Sequence, residues 1–392
     1  MPYSVPLMRY AFIEEKATRE ELARFILEAP RLSMGEQCLA FENAFGLYQG
    51  RDRAVLFNSG GSANLALLQA LKNLGRLKEG DKVGFTAITW STNVMPIIQL
   101  GFTPVPIDCE IETLNSGSAN LLEALAEHDL KAFFLTNVLG FTGDLDVIRE
   151  ICTQRGILLL EDNCESLGSE LPSGKAGNFG LASTFSFFVA HHMSTIEGGM
   201  VCTSDRELDR MLRIVRANGW DRNLSKEDRS SLRTTYEVSN EFTASYTFYD
   251  LAYNLRPTEI TGFLGQVQLK FLPESIEARI ANCKWLSDAV ATNGGLKLPK
   301  SKYQTILSSF AFPVLCREAA HRAKYLERLT KAEIECRPII AGNMQRQPFY
   351  GKYVQLHRDL PNADRIHECG FYVGNYPELT REDLSAIAAA LT

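Results

Sequence analysis

The 392-residue chain has no closely spaced pair of cysteines. Its nine cysteines are scattered, and the nearest two, Cys152 and Cys164, lie twelve residues apart. That spacing excludes a CxxC zinc knuckle and supplies no ligand set for an iron–sulfur cluster. An odd, dispersed set of thiols suits a reducing compartment, so a cytoplasmic location is expected. No apolar run is long enough to span a bilayer and no long basic block is present, which argues against membrane and nucleic-acid partners. The net charge of −6 leaves no electrostatic footprint for nucleic acid either. The opening residues, MPYSVPLMRYAFIEE, lack a basic segment followed by an apolar core, so no signal peptide is expected. Internal repeats and low-complexity tracts are missing too. Histidine is scarce, with six in all, yet His191 and His192 are adjacent.

What is present belongs to a globular α/β protein. Hydrophobic residues make up 45% and charged residues 22% of the chain. The length suggests two domains, or one large domain with an appendage. "RAVLFNSGGSANLALLQAL" reads as strand, glycine turn and helix; "DKVGFTAIT" and "TPVPIDC" read as strands around the helical "STNVMPIIQLG". "KAFFLTNVLG", "DLDVIREICTQRG" and "ILLLEDN" form a βαβ unit. Strands separated by helices predict a mostly parallel, doubly wound sheet. Residues 225–250 read as a polar, then aromatic excursion, and the helical periodicity of 262–291 suits a bridge to a second unit. The expected organisation is a large domain over 1–270 and a smaller α+β domain over 271–392.

Four stretches look chemical. In "FNSGGSANL" (57–65), Gly60 and Gly61 permit a tight turn into a helix whose free amides suit a phosphate. The same turn also serves as an ordinary Ser-capped connection, and it lacks the Gly-Lys-Ser/Thr of a Walker loop. In "LLLEDNCESLGS" (158–169), Asp162 ends an apolar run, where parallel sheets place their ligands. A carboxylate there can pair with a cationic ring nitrogen or simply cap the next helix, and Glu165 lies within reach of the same ligand. Trp90, between a strand and a helix, can stack on a flat ring or sit in a core. The fourth is "AHHMSTIEGG" (190–199), whose vicinal histidines point in different directions and make a poor metal chelate.

Together these pieces are what pyridoxal phosphate (PLP) requires: a phosphate cradle, a strand-end Asp that keeps the pyridine nitrogen protonated, and a stacking aromatic. Their order resembles the nucleotide-sugar aminotransferases among the fold-type I PLP enzymes, whose fold is that of the aspartate aminotransferases. That family has Ser-Gly-Thr, Thr-Phe, Glu-Asp, a Ser, and a Lys ahead of Gly-Glu-Gly-Gly. This chain has Ser59-Gly60-Gly61, Thr89-Trp90, Glu161-Asp162, Ser186 and "AHHMSTIEGG". The likeness continues through "YNLRPTEITGFLGQVQL" (253–269), where the family uses an Asn to reach the cofactor phosphate of the partner subunit, here Asn254.

The departure is at the Schiff-base lysine. His191 stands in its place, and no lysine lies between Lys175 and Lys226. This substitution resembles the sugar 3-dehydratase branch of the family, and "ANGWDRNL" (217–224) and "RPIIAGNMQRQPF" (337–349) resemble its GDP-sugar members. The related CDP-sugar dehydratases add an iron–sulfur cluster, for which the cysteine spacing here is wrong. The resemblance implies non-covalently held PLP and pyridoxamine phosphate (PMP), with L-glutamate as amino donor. The implied substrate is a nucleotide-linked 4-keto-6-deoxyhexose such as GDP-4-keto-6-deoxymannose, deoxygenated at C3 with release of 2-oxoglutarate and ammonia. It also implies a homodimer with shared active sites. His191 is then base and acid, titrating near neutral pH. Asp162 pairs with the pyridine nitrogen, Glu165 approaches the ring hydroxyl, Trp90 stacks, and Gly60, Gly61, Ser186 and Asn254 hold the phosphate. Arg222 is a candidate substrate contact, and His192 is structural or substrate-facing. A 4-aminotransferase, a PLP fold that only binds, and a histidine metal site are the competing readings; the last has no further ligands at metal spacing.

Overall fold

The computed structural model describes residues 3–392. Seven strands form the main sheet: β1 (Arg53–Phe57), β2 (Lys82–Thr86), β3 (Thr103–Ile107), β4 (Leu130–Thr136), β5 (Leu158–Asp162), β8 (Ala182–Ser186) and β9 (Gly199–Thr203). Between β5 and β8 lies a small hairpin of β6 (Glu170–Leu171) and β7 (Gly174–Lys175). The order across the main sheet is β1-β9-β8-β5-β4-β2-β3. Pairing is parallel from β3 through β8, whereas β9 runs antiparallel to both β8 and β1. The expected mostly parallel sheet is therefore present, with one reversed strand.

Alternation along each strand explains the layers. Val55 and Phe57 of β1, Phe134 of β4, Leu160 of β5 and Val201 of β9 share one core with Leu67 and Leu71 of the helix Gly60–Asn73. Ala54, Leu56, Met200 and Cys202 face the opposite side, against Phe41 and Phe45 of the helix Glu36–Gln49. Farther along that sheet, Phe133, Leu135 and Leu159 pack with Ile148 of the helix Leu145–Arg155. A period of two sends successive side chains to opposite faces, and helices cover both.

A second, antiparallel sheet contains β10 (Leu296–Lys297), β11 (Ala311–Cys316), β12 (Cys336–Arg337) and β13 (Gly370–Gly374), in the order β10-β11-β13-β12. Its core includes Leu286, Phe312, Val314, Leu329, Phe371 and Ile387, and it also takes Val5, which bridges to Ile334. The stretch of helical periodicity over 262–291 is two helices, Glu259–Leu269 and Leu272–Val290. Pro273 stands in the first turn of the second, where its missing N–H costs nothing. The 225–250 excursion holds two short helices, Lys226–Thr235 and Glu241–Ala244. No helix of the described residues is long and apolar enough to cross a membrane.

Candidate active site

The C-terminal ends of β1, β8 and β5 lie along the same edge of the sheet, with the reversed β9 between β1 and β8, and the chemical residues follow from them. After β1, Ser59 caps the helix Gly60–Asn73: its hydroxyl oxygen accepts from the Ser62 N–H at 3.0 Å, and its carbonyl accepts from the Ala63 N–H at 3.0 Å. That leaves the Gly60 and Gly61 amides for a ligand. Glycine is required by close approach. A Cβ on Gly60 would lie 2.8 Å from Ser186 Cβ, and one on Gly199 would lie 2.3 Å from the Ser59 carbonyl oxygen. Phe57 and Ser186 both register with Gly199, which brings the glycine turn against the end of β8.

Asp162 ends β5 and is buried. Its Oδ2 accepts from Asn64 Nδ2 at 3.0 Å and from Asn93 Nδ2 at 2.7 Å; its Oδ1 accepts from the Cys164 amide at 2.9 Å. A carboxylate offers about four lone-pair sites, so acceptor capacity remains for a cationic ring nitrogen. Asn64 and Asn93 sit near the N-terminal ends of two different helices, and no pattern in the sequence singled them out. Trp90 immediately precedes the helix Ser91–Gln99 and is 55% exposed, so its ring is open to a stacking partner. Beside it, Thr89, three residues past β2, and Thr136 at the end of β4 share a hydroxyl hydrogen bond of 2.6 Å.

Glu165 accepts from the Leu139 amide at 3.1 Å. Burial pushes its carboxyl up to about 8, against the opposing hydrogen bond from Leu139 and with a smaller push from Asp162. It is thus protonated at neutral pH and can donate to a phenolate oxygen. The folded value exceeds the unfolded one of about 4.3, so the folded protein binds the extra proton and stability falls as pH rises through that interval. Glu165→Gln keeps the neutral shape and should flatten this loss. Thermal melts of cofactor-free protein from pH 5 to about 8 check it; parallel slopes for parent and variant would place the shifted carboxyl elsewhere.

His191 follows the end of β8 in the turn after Phe188, whose carbonyl accepts the His191 N–H at 2.9 Å. Its ring packs 5.2 Å from Phe310 and 6.3 Å from Phe188. Burial pushes the imidazole down to about 4, opposed by the Cys164 backbone and assisted by the Arg279 charge. The expectation of titration near neutrality is therefore corrected: in the cofactor-free protein His191 is a neutral imidazole at pH 7, because its surroundings solvate a cation poorly. Cys164 is the meeting point that sequence reasoning missed, since its amide holds Asp162, its backbone approaches His191 and its sulfur lies against Gly60. His192 is only 1% exposed and its Nε2 meets the Ser308 carbonyl at 3.1 Å, which makes it structural.

Two candidates lie away from this cluster. Asn254 is exposed, and its Oδ1 accepts from Arg256 Nε at 2.9 Å. Its neighbour Leu255 accepts the Asn58 N–H at 3.0 Å, so this segment runs beside the glycine turn. Arg222 lies over the Trp220 ring at 4.0 Å and the Tyr246 ring at 4.7 Å, and donates to the Ser245 carbonyl.

The donor set fits a phosphorylated pyridine: amides and a serine hydroxyl at one end, a buried carboxylate at the other, an exposed indole between. Lys175, the lysine nearest in sequence before His191, instead donates to the Tyr48 carbonyl and sits over the Tyr48 ring. Among the described residues, no three His, Cys, Asp or Glu side chains converge as a metal site, and the cysteines are free.

Residues 14–392 match the model of the DegT/DnrJ/EryC1/StrS aminotransferase family. The chain is 36% identical over 355 residues to the GDP-4-keto-6-deoxy-D-mannose 3-dehydratase of Escherichia coli O55:H7 (strain CB9615 / EPEC), covering 90% of each chain. It superposes with a TM-score of 0.91, at 32% identity and over 100% of both chains, on E. coli GDP-4-keto-6-deoxy-D-mannose-3-dehydratase with bound hydrated PLP. The TM-score is also 0.91, at 32% identity and over 99% of this chain and 100% of the other, for GDP-4-keto-6-deoxymannose-3-dehydratase with a trapped PLP-glutamate geminal diamine.

Proposed function

The chain belongs to the DegT/DnrJ/EryC1/StrS aminotransferase family, and from that premise we propose that it is a PLP-dependent sugar 3-dehydratase. Its substrate is a nucleotide-linked 4-keto-6-deoxyhexose, GDP-4-keto-6-deoxy-D-mannose, and L-glutamate is the amino donor. The products are 2-oxoglutarate, ammonia and a 4-keto-3,6-dideoxy sugar still joined to its nucleotide. The observation that carries this reading is a neutral imidazole, His191, set against the backbone of Cys164, whose amide holds Asp162, in a site where the family pattern has lysine.

PLP, in its amine form, supplies the electron sink that lets a C3 hydroxyl depart. The residues of the chain do the rest. The Gly60 and Gly61 amides and Ser186 hold the phosphate, Asp162 keeps the ring nitrogen protonated, and Trp90 covers the ring. Glu165, as a neutral acid, donates to the ring oxygen. His191 has no amine with which to anchor the cofactor or displace an amino product, so it works only with protons. Its Nδ1 is buried, which leaves Nε2 to accept one proton and to hand it to the departing C3 hydroxyl. A low imidazole pKa makes the protonated ring a strong donor in that second half.

The same reading assigns residues 1–270 to a cofactor lobe and 271–392 to a smaller lobe, with the segment around Val5 packed on the second. It makes the enzyme a cytoplasmic homodimer, in which the exposed Asn254 and Arg222 serve the partner's site. Ammonia release tests the reaction. Protein supplied with PLP, L-glutamate and GDP-4-keto-6-deoxymannose should yield ammonia and 2-oxoglutarate together with a deoxygenated keto sugar. A 4-amino sugar without ammonia would establish transamination instead.

A further inference from the structure

One buried cation beside His191 takes no part in the chemistry above. Arg279 is 1% exposed, in the helix Leu272–Val290. Its Nη1 donates to the Phe310 carbonyl at 2.9 Å and to the Asn375 carbonyl, and its Nη2 donates to the His191 carbonyl at 3.4 Å. Three backbone carbonyls, and no carboxylate among the described residues, take its protons. A buried guanidinium without a counter-ion is costly, and an apolar side chain would fill the same space at less cost. Ser275 lies one turn earlier on the same face of the helix and is 2% exposed. Its hydroxyl donates to the His192 carbonyl at 3.3 Å. Residues four apart on one helix thus grip the two carbonyls of the vicinal pair.

Little else holds this turn. Between the end of β8 and the start of β9 it is neither helix nor strand. Its backbone bonds run from the Phe187 N–H to Gly198, from the His191 N–H to Phe188 and from the Thr195 N–H to Phe187, each 2.9 Å, and none uses a histidine carbonyl. Backbone carbonyls away from water need partners, and here only Arg279 and Ser275 supply them among the described residues. His191 forms no bond to the cofactor, so its ring is placed by its backbone and by packing. We propose that Arg279 is a positioning residue for the base: it ties the backbones of His191 and Phe310, whose rings lie 5.2 Å apart, into one frame, with Ser275 as the second point of the grip. Asn375 braces that frame, donating from Nδ2 to the Arg279 and Ser309 carbonyls at 3.1 Å each. The charge acts at the same place, since after burial the Arg279 cation further disfavours protonation of His191. The other ionisable groups around the ring are Cys164, His192, Tyr10 and Glu378. Burial raises the Cys164 thiol and the Glu378 carboxyl and lowers His192. Arg279, which burial lowers to about 10, is the cation among them at pH 7.

This inference rests on the role given to His191 above, and its test separates the two. Full-length PLP-loaded protein labelled with ¹⁵N-histidine has six imidazoles to follow against pH, and His191→Asn assigns the relevant signal. Arg279→Lys keeps the charge but not the fork. It should leave the His191 titration in place and the PLP affinity unchanged, yet lower kcat for ammonia release by about a hundredfold, the effect of a slightly misplaced group. Arg279→Met removes the charge as well, and once folded it should move the His191 titration to higher pH. A merely structural arginine would lower stability in urea and leave that titration where it was. Ser275→Ala removes a single hydroxyl and decides the matter if Arg279→Met does not fold. Amide hydrogen exchange over 187–198 should speed up, and kcat should fall about three- to tenfold, the worth of one hydrogen bond. Parental kcat in Arg279→Lys, a parental His191 titration in folded Arg279→Met, or parental exchange in Ser275→Ala would overturn the proposal. The expected changes in titration and exchange, in a protein whose parent releases no ammonia, would instead count against the dehydratase reading.

Discussion

His191→Asn is expected to bind PLP with the parent's affinity and to lose ammonia release by about 10²–10⁴-fold, the usual contribution of a positioned acid–base group. Asparagine is planar, polar and smaller than histidine, so it fits beside Phe310 and Phe188 without a clash. It cannot accept a proton at neutral pH. The residues assigned to the cofactor lie elsewhere, on the turn after β1 and at the ends of β5 and β8, so retention of PLP should be untouched. Absorbance titration with PLP and an ammonia assay on the same preparation separate the two effects. A variant that keeps more than about a tenth of the parent rate would remove the base from position 191. One that loses PLP and activity together would make His191 a cofactor anchor.

Glu42→Ala should produce the largest loss of stability, about 3–5 kcal/mol, as expected when one member of a buried ion group is removed. Glu42 is 3% exposed, in the helix beneath β1. Its Oε1 accepts from the Leu56 amide at 2.9 Å and from Arg216 Nη1 at 2.5 Å, and its Oε2 accepts from Arg213 Nη1 at 2.9 Å. Alanine would leave the Leu56 N–H without its acceptor and the buried Arg216 cation without its carboxylate, with only the Leu56 carbonyl at 2.8 Å still accepting from Nη1. Arg213 would suffer less, because Asp209 also pairs with it at 3.0 Å. The damage lies at β1, three residues from the glycine turn, so PLP affinity should fall as well. Urea titration of parent and variant measures the first effect; a loss below about 1 kcal/mol would mean that water replaces the carboxylate.

The same network gives a pH dependence of known sign. Arg216 and Arg213 hold the Glu42 carboxyl below the ordinary carboxylate range, overcoming the burial that acts the other way. The folded value lies below the unfolded one, so the contribution is full above the unfolded pKa of about 4.3 and is lost as pH falls through the folded value. This is opposite to Glu165, whose cost grows as pH rises. The two buried carboxylates thus act on stability with opposite signs, one as pH falls and the other as pH rises.

How much of this was legible in the sequence follows from range. The alternation in "RAVLF" and "ILLLED", the glycine turn and the Ser59 cap are local, and local chemistry dictates a strand, a turn or a helix wherever the segment lies. Asp162 could be placed at a strand end from five residues. The meaning of His191 came from the motif around it and from the missing lysine. By contrast, nothing near Asn64 or Asn93 in the sequence marks them as supports of Asp162, because the three residues belong to separate elements. Cys164 read as one scattered thiol among nine, and Glu165, though expected near the ring hydroxyl, gave no local sign that burial raises its pKa.

By itself, then, the sequence determined the α/β alternation, the anion-binding turn, the acid at the end of β5 and the replacement of lysine by histidine, since each depends on neighbours within a turn or a strand. Only the tertiary structure decided that β9 is reversed between β1 and β8, which sets the glycine turn against Ser186. It alone showed that His192 is buried on Ser308 and that burial pushes the His191 imidazole down toward its neutral form. Those properties come from solvation and from which side chains converge, and convergence is set by sheet order, where segments more than a hundred residues apart become neighbours.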